Sequence, residues 1–313
     1  MSHSLLLMGP LLPSVMQTLE STYSVHRYWE SDDQSALLQS ISDNCEGVVT
    51  DGGRGVEAEV LRQLPNAKVV SVFGVGVDAV DLDYCKANNI VVSNTPDVLS
   101  DDVADMAIAL ALATSRQLVF GDSYARAGKW PANGAMPLTR RVMGKKAGIY
   151  GMGSIGNALA KRLEGFDMQI SYCNRSQRSD SSYAFCPSLV ELAAKVDYLF
   201  VTASATPGSV GSVNKEVLDA LGSDGFLINV SRGTLIDEPV LISYLQEEKI
   251  AGAGLDVFAS EPNIPEAFFS MNNVVLQPHN ASGTWETREA MGKLVLDNLA
   301  AYFADKPVLT PVI

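Results

Sequence analysis

The chain of 313 residues is 47% hydrophobic and 19% charged, with a formal net charge of −13. A chain of that length is expected to form about two domains with ample core. Its negative field repels nucleic acid and anionic membranes, so neither is expected as a partner, and any anion site has to be assembled from local arginines and backbone N–H groups.

The opening stretch, "MSHSLLLMGP", has too short an apolar run and no basic segment for a signal peptide, so a cytoplasmic protein is expected. Apolar runs at 4–8, 47–50, 68–73 and 90–93 read as strands. Cys45, Cys85, Cys173 and Cys186 form no CxxC and no Cys/His group with zinc spacing, so reduced thiols and no metal are expected. Ser100 to Leu118 reads as one long helix, with Ser100 at its N-cap and Asp101 and Asp102 where the helix dipole favours negative charge. The most apolar part of that helix, 104–113, is about half the length of a membrane span. The Gly- and Pro-rich stretch 127–144 reads as a loop or arm.

A second series of strands is expected at 146–150, 169–173, 197–202, 225–230, 251–257 and 273–277. Helical segments lie between them, which indicates βαβ units and parallel sheets, so the fold class is α/β. Two series of strands imply two lobes. The last helical pattern, Thr287 to Phe303, has no strand after it and is expected to return to the first lobe. Residues 1–99 and 287–313 then form one discontinuous domain, and 100–286 the other.

Gly151, Gly153 and Gly156 form G-x-G-x-x-G between the strand 146–150 and a helical pattern opened by Ser154 and Ile155. Glycines there allow a tight turn, close approach to a pyrophosphate and close helix–strand packing, while the helix N-terminus offers N–H groups to phosphate. In the NAD version of this unit an acidic residue ends the next strand and binds the adenosine ribose. Here that strand ends in Asn174, Arg175, Ser176, Gln177 and Arg178. Arg175 and Arg178 suit a 2′-phosphate, with Ser176 as a hydroxyl donor, so NADP(H) is expected over NAD(H). The competing reading of the same residues is a solvated polar loop.

The chain has three histidines, His3, His26 and His279. Only His279 follows a strand end of the nucleotide lobe, where ligands of open α/β sheets bind and where a proton exchanged near neutral pH is useful. Arg232 and Glu261 follow two other strand ends. Singly they also read as a capping histidine, a surface arginine and a loop glutamate; together, after neighbouring strand ends, they read as a reaction centre.

"VFGVGVDAVDL" (72–82), "NTPDVLSDDVADMAIAL" (94–110), "GIYGMGSIG" (148–156), "LINVSRGTLIDE" (227–238), "GLDVFASEP" (254–262) and "QPHNASGT" (277–284) run through nearly the whole chain. With these motifs it resembles the D-isomer-specific 2-hydroxyacid dehydrogenases, and within them the NADPH-dependent glyoxylate/hydroxypyruvate and hydroxyphenylpyruvate reductases. The resemblance implies two Rossmann/flavodoxin-like lobes with a cleft between them, a homodimer, and a small 2-oxo or 2-hydroxy acid as substrate. It implies that Arg232 binds the substrate carboxylate and polarises the 2-oxo group, that His279 is general acid and base, and that Glu261 orients His279 and raises its pKa. Val75 and Gly76 would offer N–H groups to the carboxylate, Asp256 would touch the nicotinamide carboxamide, and Thr206 the cofactor backbone. Arg54 is a further candidate for substrate, and Trp130 and Trp285 for pocket walls. Ser204 with Ala205, and Asn280, depart from the usual pattern. The rivals are a hydroxyphenylpyruvate or D-lactate type dehydrogenase, and a dinucleotide-sensing relative without activity.

Overall fold

The computed structural model describes residues 3–313 and divides the chain into two compact α/β units, one holding the chain up to Leu99 with Ser282–Ile313, the other Ser100–Ala281. The first unit has a five-stranded parallel sheet, β1 (Ser4–Leu7), β2 (Ser24–Arg27), β3 (Cys45–Asp51), β4 (Val69–Phe73) and β5 (Val91–Ser93), in the order β2-β1-β3-β4-β5. β1 and β4 are buried along their whole length, as strands covered on both faces require. β2 has the sequence SVHR and half-exposed side chains; it lies at the sheet edge and offers no apolar run by which the sequence would announce it.

The helix Trp285–Phe303 packs on β4 and on the helix Pro13–Thr22. Gly292 allows that approach, since a Cβ there would collide with Val15. The helix begins two residues before the expected Thr287, because the Thr284 hydroxyl caps it by accepting the Thr287 N–H at 3.2 Å. Asn298 is fully buried and fastens the tail, its Oδ1 accepting the N–H groups of Leu309 (2.8 Å) and Thr310 (3.1 Å). The tail then runs along β5, with the Val312 N–H donating to the Val92 carbonyl at 2.7 Å.

The second unit has seven parallel strands: β6 (Lys146–Tyr150), β7 (Gln169–Cys173), β8 (Ala184–Phe185), β9 (Tyr198–Val201), β10 (Phe226–Asn229), β11 (Gly252–Leu255) and β12 (Val274–Leu276). Their order is β12-β11-β10-β9-β6-β7-β8. The order reverses between β6 and β9, and a doubly wound sheet opens its ligand crevice outside the strand C-termini at that reversal. β8 is two residues long, too short to carry a periodic signal.

The helix Ser100–Ser115 packs on β10, β11 and the helix Ser154–Glu164. β11 reads GAGL, and a Cβ at Gly254 would stand 2.9 Å from the Leu110 Cβ, so the small residue sets the helix–sheet distance. Sequence reading carries this helix to Leu118, but it stops at Ser115. Gln117 takes a left-handed conformation (φ 50°), and a second helix, Leu118–Arg126, leaves at 57°. The expected loop 127–144 contains a short helix, Lys129–Asn133. Among the described residues no single helix is long and apolar enough to cross a membrane. All four cysteines are buried and free, and burial pushes the thiols of Cys45, Cys85 and Cys173 up to about 11.

Candidate active site

The three glycines of the fingerprint do three different things. Gly151 follows β6 with φ 103°, and a Cβ on it would collide with the backbone of Ala203, just past β9. It therefore lets the two strand ends meet at the order reversal. Gly156 lies against the Gly151 carbonyl, and a Cβ there would block the helix Ser154–Glu164 from closing on the turn. Gly153 has nothing within 4 Å of the position its Cβ would occupy, which leaves open space beside the N–H groups of Ser154 and Ile155 at the helix start. Two glycines serve packing and one leaves room for a ligand, so this turn fits a dinucleotide pyrophosphate.

The end of β7 explains its missing acid. Asn174 Oδ1 accepts the Met152 N–H at 2.7 Å, so the side chain is engaged in shaping the glycine turn. Arg175 and Ser176 are exposed. Arg178, expected to meet a 2′-phosphate, is already engaged within the protein. Its Nε donates to Asp180 Oδ1 at 2.8 Å, and its Nη1 donates to the Met152 carbonyl at 2.9 Å. Asp180 escaped sequence reasoning because it lies two residues beyond the arginine in a hydrophilic loop. Thr206 caps the short turn Pro207–Ser209, where its N–H donates to Ser209 Oγ at 2.8 Å.

Three neighbouring strand ends carry the reaction candidates, and two buried polar residues stitch them together. Asn229, at the end of β10, is fully buried; its Nδ2 donates to the Arg232 carbonyl at 2.9 Å and its Oδ1 accepts the Ser231 N–H at 3.1 Å. The Asp256 N–H, just past β11, donates to the Asn229 carbonyl at 3.0 Å. The Asp256 carboxylate accepts the N–H groups of Asn280 (2.8 Å) and Ala281 (3.1 Å), and its carbonyl accepts the His279 N–H (2.8 Å). Asp256 is fully buried, so a direct contact with nicotinamide is not what this conformation provides: the residue holds the histidine loop. Burial raises its pKa above the usual carboxylate range, opposed by those two amides. Asn280 takes part through its backbone. Asn229 shows in the sequence only as a polar residue closing an apolar strand just before Arg232.

His279 Nδ1 lies 2.6 Å from Glu261 Oε2, and Glu261 Oε1 accepts the Phe258 N–H at 3.0 Å. Burial alone would raise the Glu261 pKa; the bonds from His279 and Phe258 and the charges of His279 and Arg232 outweigh it and hold the carboxyl below its usual range. With Nδ1 engaged, Nε2 is the ring nitrogen left to exchange a proton. The backbone of His279 is left-handed (φ 52°), an uncommon state for a non-glycine residue, and the Asp256 contacts hold it there.

Gly233 brings the Arg232 turn against the segment leading to Glu261: a Cβ there would overlap the Phe258 carbonyl. Alanine at Gly233 is expected to cost about 1–3 kcal/mol through overpacking. Urea unfolding checks this, and a rise in KM for substrate would show that Arg232 has moved.

In the other unit, Val75 and Gly76 lie in the loop after β4. That loop is pinned by Asn94 Nδ2 donating to the Val75 carbonyl (2.9 Å) and by Thr95 Oγ1 accepting the Gly74 N–H (3.0 Å). Among the described residues neither the Val75 nor the Gly76 N–H finds an acceptor, which is the condition for binding an anion. Arg54 is tied to Asp51 (Nη1 to Oδ2, 2.5 Å), whose Oδ1 also accepts the Arg54 N–H at 2.8 Å. Trp130 and Trp285 are 67% and 73% exposed, so neither walls a pocket within its own unit. Among the described residues no cluster of His, Cys, Asp and Glu could hold a metal ion.

Comparison with known proteins places the chain among relatives of one family. Residues 108–281 match the model of the D-isomer specific 2-hydroxyacid dehydrogenase, NAD binding domain. The chain is 48% identical over 309 residues to the 2-ketogluconate reductase of Gluconobacter oxydans, covering 99% of this chain and 98% of that one. It is 46% identical to the hydroxyphenylpyruvate reductase of Plectranthus scutellarioides, with 98% of each covered. The crystal structure of the NADPH-dependent glyoxylate/hydroxypyruvate reductase of Sinorhizobium meliloti, in complex with NADP and malonate, superposes with a TM-score of 0.94 at 41% identity, covering 100% of this chain and 97% of that one.

Proposed function

The chain belongs to the D-isomer specific 2-hydroxyacid dehydrogenase family, and we propose that within it the protein is an NADPH-preferring reductase of small 2-oxo acids, glyoxylate and hydroxypyruvate first, yielding D-2-hydroxy acids. The observation that carries the reading is the 2.6 Å contact between His279 and Glu261, set on strand ends neighbouring that of Arg232 in the nucleotide-binding unit. When bound, the reduced nicotinamide supplies the hydride. Negative charge then grows on the 2-oxo oxygen, and Arg232 stabilises it while its fork takes the substrate carboxylate. His279 delivers the proton from Nε2, and Glu261 holds the ring and balances the imidazolium. In the other unit, the N–H groups of Val75 and Gly76 find no acceptor among the described residues and are of the kind that binds a carboxylate.

NADPH is favoured because β7 ends without a carboxylate, Asn174 being committed to the Met152 N–H, while two arginines follow. The NADPH-dependent relative from S. meliloti supports the same reading. A homodimer built on the helix Leu118–Arg126 and the arm after it is supported by their exposed apolar side chains, Leu118 and Val119 on the helix and Trp130 and Leu138 on the arm. A reducing cytoplasmic setting suits four free cysteines. A larger, polyhydroxylated substrate is the second reading, favoured by the 48% identity to a 2-ketogluconate reductase.

The test is a steady-state panel of glyoxylate, hydroxypyruvate, hydroxyphenylpyruvate and 2-ketogluconate, each with NADPH and with NADH. NADPH oxidation with none of them would overturn the reading. Replacing Arg175 and Arg178 together by alanine is expected to raise the KM for NADPH about 10- to 100-fold, the worth of one or two charge-assisted contacts, and to leave that for NADH within about twofold. Equal losses for both cofactors would reduce the loop to a solvated turn.

A further inference from the structure

We propose that Asp180 sets how strongly this protein distinguishes a 2′-phosphorylated dinucleotide from its unphosphorylated counterpart, by competing with the 2′-phosphate for Arg178. The proposal rests on the cofactor reading above and assigns a role to a residue outside the glycine fingerprint and the strand end.

Arg178 is held from three sides. Its backbone N–H donates to the buried Tyr172 hydroxyl at 2.9 Å, its Nη1 donates to the Met152 carbonyl at 2.9 Å, and its Nε and Nη2 grip both Asp180 oxygens, Nε at 2.8 Å. The fork that would meet a phosphate is therefore already filled by a carboxylate of the same geometry. The Arg178 guanidinium holds the Asp180 carboxyl below its usual range, so the pair is ionised at neutral pH and its net charge is zero. Of the cations in the loop, Arg175 alone remains as uncompensated positive charge.

A carboxylate beside an arginine can act in two ways. As a splint, it would preorganise the guanidinium, and its loss would weaken phosphate binding. As a competitor, it would repel the phosphate and occupy its donors, and its loss would strengthen binding. The geometry decides for the competitor. The Met152 carbonyl anchors Arg178 to the glycine turn without help from Asp180. Asp180 itself is 65% exposed, and an exposed ion pair orders its partner only weakly. A dianionic phosphate close to that carboxylate is repelled by a full charge that water screens only in part.

The experiment is calorimetric titration of the full-length protein with adenosine 2′-monophosphate, NADPH and NADH. Asp180→Asn, which keeps the shape and removes the charge, is expected to tighten adenosine 2′-monophosphate and NADPH about three- to tenfold and to leave NADH within about twofold. Asp180→Ala should shift in the same direction, and the gain should shrink as salt is added. Adding Arg178→Ala to Asp180→Asn should abolish it. Unchanged or weaker binding of the 2′-phosphate ligands to both Asp180 variants overturns the proposal and makes Asp180 a splint or a bystander. If the wild type already prefers NADPH, such a result leaves the cofactor reading standing. If the wild type shows no preference for the 2′-phosphate, the cofactor reading fails, and the competitor role survives only if Asp180→Asn creates that preference.

Discussion

Replacing His279 by alanine is expected to lower kcat by about 10²- to 10⁴-fold while KM changes little, the signature of losing a proton donor used in the transition state. The backbone adds a condition on how the experiment is done. His279 sits at φ 52°, where alanine is strained and asparagine is tolerated. His279→Asn should therefore keep the loop built on Asp256 while losing the same chemistry, and it is the cleaner variant. Single-turnover hydride transfer at saturating NADPH and hydroxypyruvate reads the effect; a loss below about tenfold in both variants would mean that another group supplies the proton. Glu261→Gln should lie between these and the wild type, because the amide still reaches the ring but no longer balances its positive charge. The sign of the pH effect follows from the depressed Glu261 pKa. Its ionised form is favoured by folding, so that stabilisation is present above the ordinary carboxylate range and is lost as pH falls through the depressed value. The His279–Glu261 contact should thus persist through neutral pH and weaken only in acid.

The strands of the nucleotide-binding unit were legible because buried parallel strands are largely apolar runs, and β9 and β10, buried along their whole length, lie within the runs that predict them. β2 and β8 were not, one being a polar edge and the other two residues long. The long helix was overextended to Leu118 because periodicity does not register a single left-handed residue, and Gln117 is such a residue. At the candidate site, Arg232, Glu261 and His279 stand out by type and by position after strand ends. Their supports could not. Asn229 and Asp256 act by bonding to backbone groups of other loops, and no local pattern shows which amide a buried side chain will meet. Asp180 was hidden differently: it lies two residues from Arg178, but in a hydrophilic loop nothing in the sequence shows which side chains pair.

Arg232→Ala should be at least as damaging as loss of the histidine, and different in kind. Here kcat/KM is expected to fall by about 10³-fold or more, with KM rising as well as kcat falling, because the guanidinium is asked both to bind a carboxylate and to stabilise charge on the 2-oxo oxygen. Arg232→Lys separates the two tasks. Lysine keeps the charge but not the planar fork, so it should recover part of kcat and little of KM. The arginine's aim comes from its own turn: Nη1 donates to the Ser231 carbonyl at 2.9 Å, and Asn229 bonds the carbonyl of Arg232 itself. Asn229→Ala should therefore reproduce a weakened form of the Arg232→Ala phenotype without touching any reacting group. If Arg232→Ala raised KM alone and left kcat intact, its role would be confined to the carboxylate, and charge on the developing alkoxide would have to be met by His279 alone.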